Sequence, residues 1–237
     1  MENRLRYFLG KPARINHVNI YSPTIDSIAE IGELTYKLYV IVASFDKEVI
    51  FKNLFNLSDD EYSKIENEDT YDLLVSVPAI KEEMLKAYNF FTKENVKFDN
   101  NLFSFMINDK VFINKENYIE VSNIIKEING ILEEDNKLKF VNEKAKQMYE
   151  KLQRLKNKYK KNKDDSLDLK DILSILCSAE GNGINVFNVG NLTIYQVYEH
   201  FERLNIKERH ARLLRVWANG FLGENEKLPE WITKSKF

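Results

Sequence analysis

Apolar residues recur at steps of three and four along most of this chain and at steps of two in two short stretches. The first spacing lays a stripe down one face of a helix; the second puts alternate side chains on one face of a strand. The pattern therefore predicts an α+β chain that is mostly α. Ile28, Ile31, Leu34, Leu38, Ile41 and Phe45 form one helical stripe. Ser22 reads as its N-cap and Pro23 as a first-turn proline, which loses no hydrogen bond there. Leu73, Leu74, Val77, Ile80, Met84, Tyr88 and Phe91 predict a further helix over residues 70–94, weakened in the middle by Pro78. Another runs from Lys115 to Asn129, with Gly130 as its stop.

The two alternating stretches read as β-hairpins. One is LRYFLGKPARINHVNIY, turning around Gly10-Lys11-Pro12. The other is NLFSFMINDKVFIN, with Phe103, Phe105 and Ile107 on one side and Val111 and Ile113 on the return, around Asn108-Asp109-Lys110. Residues 160–166, rich in lysine and aspartate, are the best linker candidate, and residues 167–220 read as helices. The expected organisation is an α+β domain over 1–130, a basic amphipathic helix and linker over 131–163, and an all-helical domain over 164–237.

Between two of the helical stretches lies AEGNGINVFNVGNLTIYQVYEHF, which raises the question of a phosphate-binding loop. A dinucleotide loop needs Gly-x-Gly-x-x-Gly after a buried strand. Gly181 and Gly183 fit, but the third position is Val186, no Gly-Lys-Ser/Thr follows, and the preceding DILSILC is patterned as a helix. The loop reads as a connection, and no cofactor is expected. After it, Thr193 and Gln196 match a capping box, in which the hydroxyl accepts from an early amide and the glutamine reaches back to the cap. Leu192 and Val197 can staple across that box, and Ile194, Val197, Tyr198, Phe201 and Leu204 then follow at helical spacing.

Net charge is −2, but the charges are segregated. From Lys137 to Lys163 there are eleven Lys or Arg against two Glu, a balance of 11 − 2 = +9, whereas SDDEYSKIENEDTYD at 58–72 is strongly acidic. Within the basic segment Leu138, Val141, Ala145, Met148, Leu152, Leu155 and Tyr159 alternate steps of three and four, the seam of a coiled-coil-like helix. That stripe can pack on the chain's own core, on a second copy or another protein, or the lysines can meet nucleic acid, though no recognition motif or aromatic platform accompanies them. These seven residues are the partner-binding candidates, and a nucleic-acid role ranks last of the three.

Reactive constellations are thin. His17, His200 and His210 are the histidines, and HExxH, Gly-x-Ser-x-Gly and Cys-x-x-Cys are absent from the sequence. Glu199, His200 and Glu202 could offer metal ligands, but neighbours on a helix face different ways, so no metal site is expected. Arg203, Arg209, Arg212 and Arg215 read as a helix surface. The lone cysteine, Cys177, lies on an apolar helical pattern and fits a buried thiol in a reducing cytoplasm. LYVIVASF, the longest apolar run, is too short to cross a bilayer, and MENRLRYF lacks a secretory apolar stretch. A non-enzymatic, cytoplasmic chain with no membrane contact is the expectation.

SPTIDSIAEIGE, DILSILCSAEGNGINVFNVGNLTIYQVYEHFERL and LPEWITK together resemble a group of proteins encoded by tailed phages and prophages of low-GC Gram-positive bacteria. The resemblance covers both ends of the chain. It implies a protein of the tail-morphogenesis module, similar to tail assembly chaperones that attend the tape-measure protein or other tail proteins. A structural protein of the virion, in tail or capsid, and a nucleic-acid-associated factor are the alternatives it leaves open.

Overall fold

The structure is a computed structural model that describes residues 3–131, 167–221, 228 and 230–237. The fold is α+β and mostly α. The basic segment with its stripe from Leu138 to Tyr159 lies outside the described residues.

The chain opens with helix α1, Arg4–Phe8, followed by strands β1, Ala13–Ile15, and β2, Val18–Ile20. The expected first hairpin is thus shifted: Gly10-Lys11-Pro12 joins a helix to a strand, and the turn falls at Asn16-His17, with Ala13 opposite Ile20 and Ile15 opposite Val18. Asn16, at φ +52°, supplies the left-handed residue of that turn. Ala13, Ile15, Val18 and Ile20 are all buried, so the alternation that matters begins at Ala13.

Ser22 is not the N-cap of the next helix. Thr24 caps α2, Ile25–Ile31, its hydroxyl accepting from Ser27 N at 3.2 Å. Gly32, at φ +85°, breaks the expected long helix, and α3, Glu33–Ala43, starts afresh. The break changes the phase of the stripe. Tyr36, Val40, Val42 and Ala43 are buried while Leu34 is 83% exposed. The expected helix over 70–94 is likewise two: α6, Thr70–Ser76, and α7, Pro78–Thr92, after α4, Lys47–Val49, a wider π turn over Ile50–Leu54, and α5, Asp59–Ser63. Pro78 opens α7 instead of weakening it, because Val77 ahead of the proline is held extended at ψ 111°.

The acidic stretch 58–72 is built into these short helices. Ser58 and Glu61 form a capping box on α5, and Asp69 caps α6. Carboxylates in a first turn complement the positive helix end. Lysines from elsewhere answer others: Lys52 pairs with Asp59 at 2.8 Å, Lys115 with Asp69 and Asp72, and the Lys47 ammonium donates to the carbonyls of Ile65, Glu66 and Glu68.

Strands β3, Lys97–Asp99, β4, Ser104–Ile107, and β5, Lys110–Ile113, make an antiparallel sheet in that order. The β4–β5 turn uses Asn108 and Asp109, both at positive φ. A bulge between Phe105 and Met106 pairs Phe105 with Ile113 and Met106 with Val111. Phe112 and Ile113 therefore both point inward, Val111 is left partly exposed, and Phe103 lies before the strand, not on its inner face.

Helix α8, Tyr118–Ile128, follows and stops at Asn129 and Gly130, the latter at φ +71°. The core centres on Tyr88 of α7, whose ring meets Phe105 at 5.1 Å, Phe112 at 5.9 Å and Phe45 at 6.5 Å. The last two helices, α9, Leu169–Ser178, and α10, Ile194–Ala218, form a hairpin joined by the glycine loop. Ile172, Leu176, Ile194, Tyr195 and Val197 belong to the same hydrophobic core as Tyr88.

Candidate partner-binding surface

Asp168 caps α9 by accepting from Asp171 N at 2.7 Å, and Ile172 and Leu176 turn inward while Cys177 is half-buried. The loop then closes on itself through asparagines. Asn182 donates to Leu176 O and accepts from Ile184 N; Asn185 accepts from Phe187 N; Asn188 accepts from Asn185 N and donates to Gly183 O, all between 2.8 and 2.9 Å. The amides of Ile184, Asn185 and Phe187 are thereby answered within the loop. Gly181 and Gly183 sit at φ +77° and +72°, the left-handed bends the loop requires.

The loop ends at a joint between the two ends of the chain. Ile25 N donates to Leu192 O and Ile194 N donates to Pro23 O, both at 2.9 Å, so Pro23-Thr24-Ile25 and Leu192-Thr193-Ile194 cross as an antiparallel bridge. Each amide opens a helix and has no partner inside it, so each helix start completes the other. Thr24 and Thr193 meanwhile cap α2 and α10, the second with the full capping box on Gln196. Gln196 Nε2 reaches on to Phe8 O at 2.9 Å, and Ser22, displaced from the cap role, donates to Ile128 O and accepts from Tyr195 N. Thr193→Ala is expected to cost about 1 kcal/mol. The check is the shift of the urea midpoint with the m-value unchanged; no shift would show that the bridge holds the helix start without its cap.

Helix α10 has 25 residues, about 37 Å at 1.5 Å per residue. Its first turns are clamped. Tyr195 meets Tyr7 and Phe237, and Tyr198 stacks on Phe237 at 6.2 Å. Gly130 fits beneath, since a Cβ there would lie 2.5 Å from the Tyr198 ring. Glu199 is buried and pairs with Arg203 at 3.2 Å, Arg203 also donates to Thr233 O, and Glu202 accepts from Lys236 N. His200 packs near Phe8 instead. Glu199, His200 and Glu202 thus diverge, and no cluster able to hold a metal ion occurs among the described residues.

Among the described residues, Leu204 is the last of this helix to pack on the hydrophobic core. Leu214, Val216 and Trp217 are exposed, as are Arg209, Arg212 and Arg215. Ile206, Leu213 and Trp217 lie along one side of the helix at steps of seven and four, with Lys207 and Arg209 beside it. The reading of residues 167–220 as helices holds to Ala218, and what the apolar pattern through Leu204 left out is that Leu213 and Trp217 continue at helical spacing.

Residues 160–236, about a third of the chain, match the family model described as "YomV second domain", a phage-type domain. That region contains α9, the asparagine loop, α10 and most of the returning tail. The match suggests a phage-related protein. No curated protein and no solved structure matches the chain significantly. No helix among the described residues is long and apolar enough to cross a membrane.

Proposed function

We propose that this protein is a non-enzymatic factor of phage tail morphogenesis, an assembly chaperone or adaptor that holds a helical segment of the tape-measure protein. The observation that carries the reading is the distal half of α10, where Leu214, Val216 and Trp217 stand exposed among arginines in the region matching a phage-type domain. Helix-in-groove recognition uses apolar anchors three or four residues apart, as Leu214 and Trp217 are, with a charged rim, and needs no reaction centre. Tryptophan and arginine are the residues that most often dominate binding energy. The apolar pattern from Leu138 to Tyr159 is a second candidate, from the sequence, for the same client.

Co-expression with the tape-measure protein and affinity capture tests the proposal. Leu214→Asp with Trp217→Asp alters exposed side chains, leaves the fold intact and lowers capture at least about tenfold. Undiminished capture by that variant, with loss in Leu152→Asp/Leu155→Asp, would move the interface to the basic stripe; undiminished capture by both would end the chaperone reading. Recovery of the protein in purified virions would favour a structural component instead.

A further inference from the structure

We infer that the groove seating residues 233–237 is a binding site for a short peptide of another protein, with this segment of the chain as its intramolecular competitor. The segment has no regular secondary structure and is held by side chains from two helices. Arg203 of α10 donates to Thr233 O, and Arg4 of α1 donates to Ser235 O at 3.0 Å and to Ser235 Oγ at 3.1 Å. Glu202 of α10 accepts from Lys236 N at 2.9 Å. The Phe237 ring then closes on Tyr195 and Tyr198. Glycine at 130 leaves it room, since a Cβ there would stand 3.2 Å from Phe237 Cε1.

These contacts define what the groove reads. The bonds to Thr233 O, Ser235 O and Lys236 N meet main-chain atoms, which almost any sequence offers. Thr233, Lys234 and Lys236 are exposed, so their side chains set no requirement. The Ser235 hydroxyl and the Phe237 ring are read as side chains. The matching ligand carries a small hydroxylated residue two places before an aromatic one. Main-chain bonds combined with a few side-chain pockets are a recurring means of peptide recognition.

The closed state holds a group that opening would satisfy. Tyr195, Glu199, Glu202 and Arg203 share one side of α10 by their spacing, the side on which the segment is held. Glu199 is 8% exposed; its Oε1 lies 3.2 Å from Arg203 Nε, and its Oε2 has no hydrogen-bond partner among the described residues. A buried carboxylate oxygen without a partner is unfavourable, and Phe237 is itself only partly buried. This unanswered acceptor selects a foreign occupant. A second copy brings the same residues with the same affinity, and cannot displace a segment tethered at an effective concentration in roughly the millimolar range. A peptide that adds a donor to Glu199 Oε2 can.

Fluorescence anisotropy with the full chain and a labelled peptide of residues 230–237, EWITKSKF, tests this. The Phe237→Ala chain, whose own segment has lost its anchor, binds the peptide at least about 100-fold more tightly than the wild type. The same peptide carrying Phe237→Ala loses that binding, and adding Arg4→Gln to the Phe237→Ala chain weakens it about tenfold. Lys236→Pro, which deletes the amide given to Glu202, takes the place of Phe237→Ala should that chain not fold. Vacated chains that bind the peptide no better than the wild type, or binding that survives loss of the peptide's phenylalanine, would overturn the inference. So would a wild type that pairs with itself in sedimentation velocity and loses the pairing on Phe237→Ala, which would give the groove to a second copy.

Discussion

Phe105→Ala is expected to destabilise the protein by about 3–5 kcal/mol, the range for deleting a large aromatic from a packed core. Phe105 is fully buried and its ring is gripped edge-on by Tyr88 at 5.1 Å and Phe98 at 5.0 Å. The loss has two parts, transfer of the ring out of an apolar site and the cavity left behind. The cavity cannot close easily. Tyr88 is tied through its hydroxyl to Ala43 O, and the bulge fixes Phe112 and Ile113 beside it. Against a total stability of about 5–15 kcal/mol for a domain, that is about a fifth or more. The urea midpoint should fall with the m-value unchanged, and Phe103→Ala, at a side chain 40% exposed, should move it far less. A loss below about 1 kcal/mol would mean that the aromatic cluster closes over the gap and is not the rigid centre of the fold.

What the sequence made legible follows from how local each signal is. The Thr193-Gln196 box is specified within four residues and forms as read, with Gln196 N donating to Thr193 Oγ1 at 3.3 Å and Thr193 N to Gln196 Oε1 at 2.9 Å. The helical period likewise placed α7, α8, α9 and the start of α10. Boundaries went astray where a single backbone position outweighs a periodic pattern. Gly32 ends α2 although the apolar spacing continues through it, and Val77-Pro78 splits one stripe between two helices. Strand β3 has one large apolar residue, Phe98, and owes its existence to pairing with β4. A bulge cannot be read from alternation, so Phe112 was hidden behind Val111.

The surface was less legible than the fold. Thr193 announces its cap while Thr24 was passed over for Ser22, and nothing periodic connects the two threonines, so their bridge appears only in three dimensions. Phe187 lies in a loop whose glycines drew attention to phosphate chemistry, while the side chains that matter to its shape are Asn182, Asn185 and Asn188. The acidic stretch gave no hint that Lys47, Lys52 and Lys115 would converge on it, because composition carries sign and not position.

Alkali should unfold this protein in one step between about pH 11 and 12. Burial pushes the phenol of Tyr36 far above the ordinary value near 10, with Tyr198 adding to it, and burial does the same for Tyr88. For Tyr7 the neighbouring Glu127 carboxylate, and for Tyr71 Asp72, reinforce the effect of burial. A proton held more tightly in the folded state contributes its full stability below the unfolded value, near pH 10. As pH rises past 10 the unfolded chain loses these protons first, and stability falls by about 1.4 kcal/mol per group per pH unit. Four groups remove roughly 6 kcal/mol at pH 11 and roughly 11 at pH 12, which spans the stability of a typical domain. Absorbance of tyrosinate and far-ultraviolet circular dichroism, followed together, read the outcome. The phenols of Tyr7, Tyr36, Tyr71 and Tyr88 should ionise only in the step that destroys the helical signal. Should all twelve tyrosines titrate as one smooth wave near pH 10 while the helices persist, Tyr88 and its neighbours would not be the sealed core described for them.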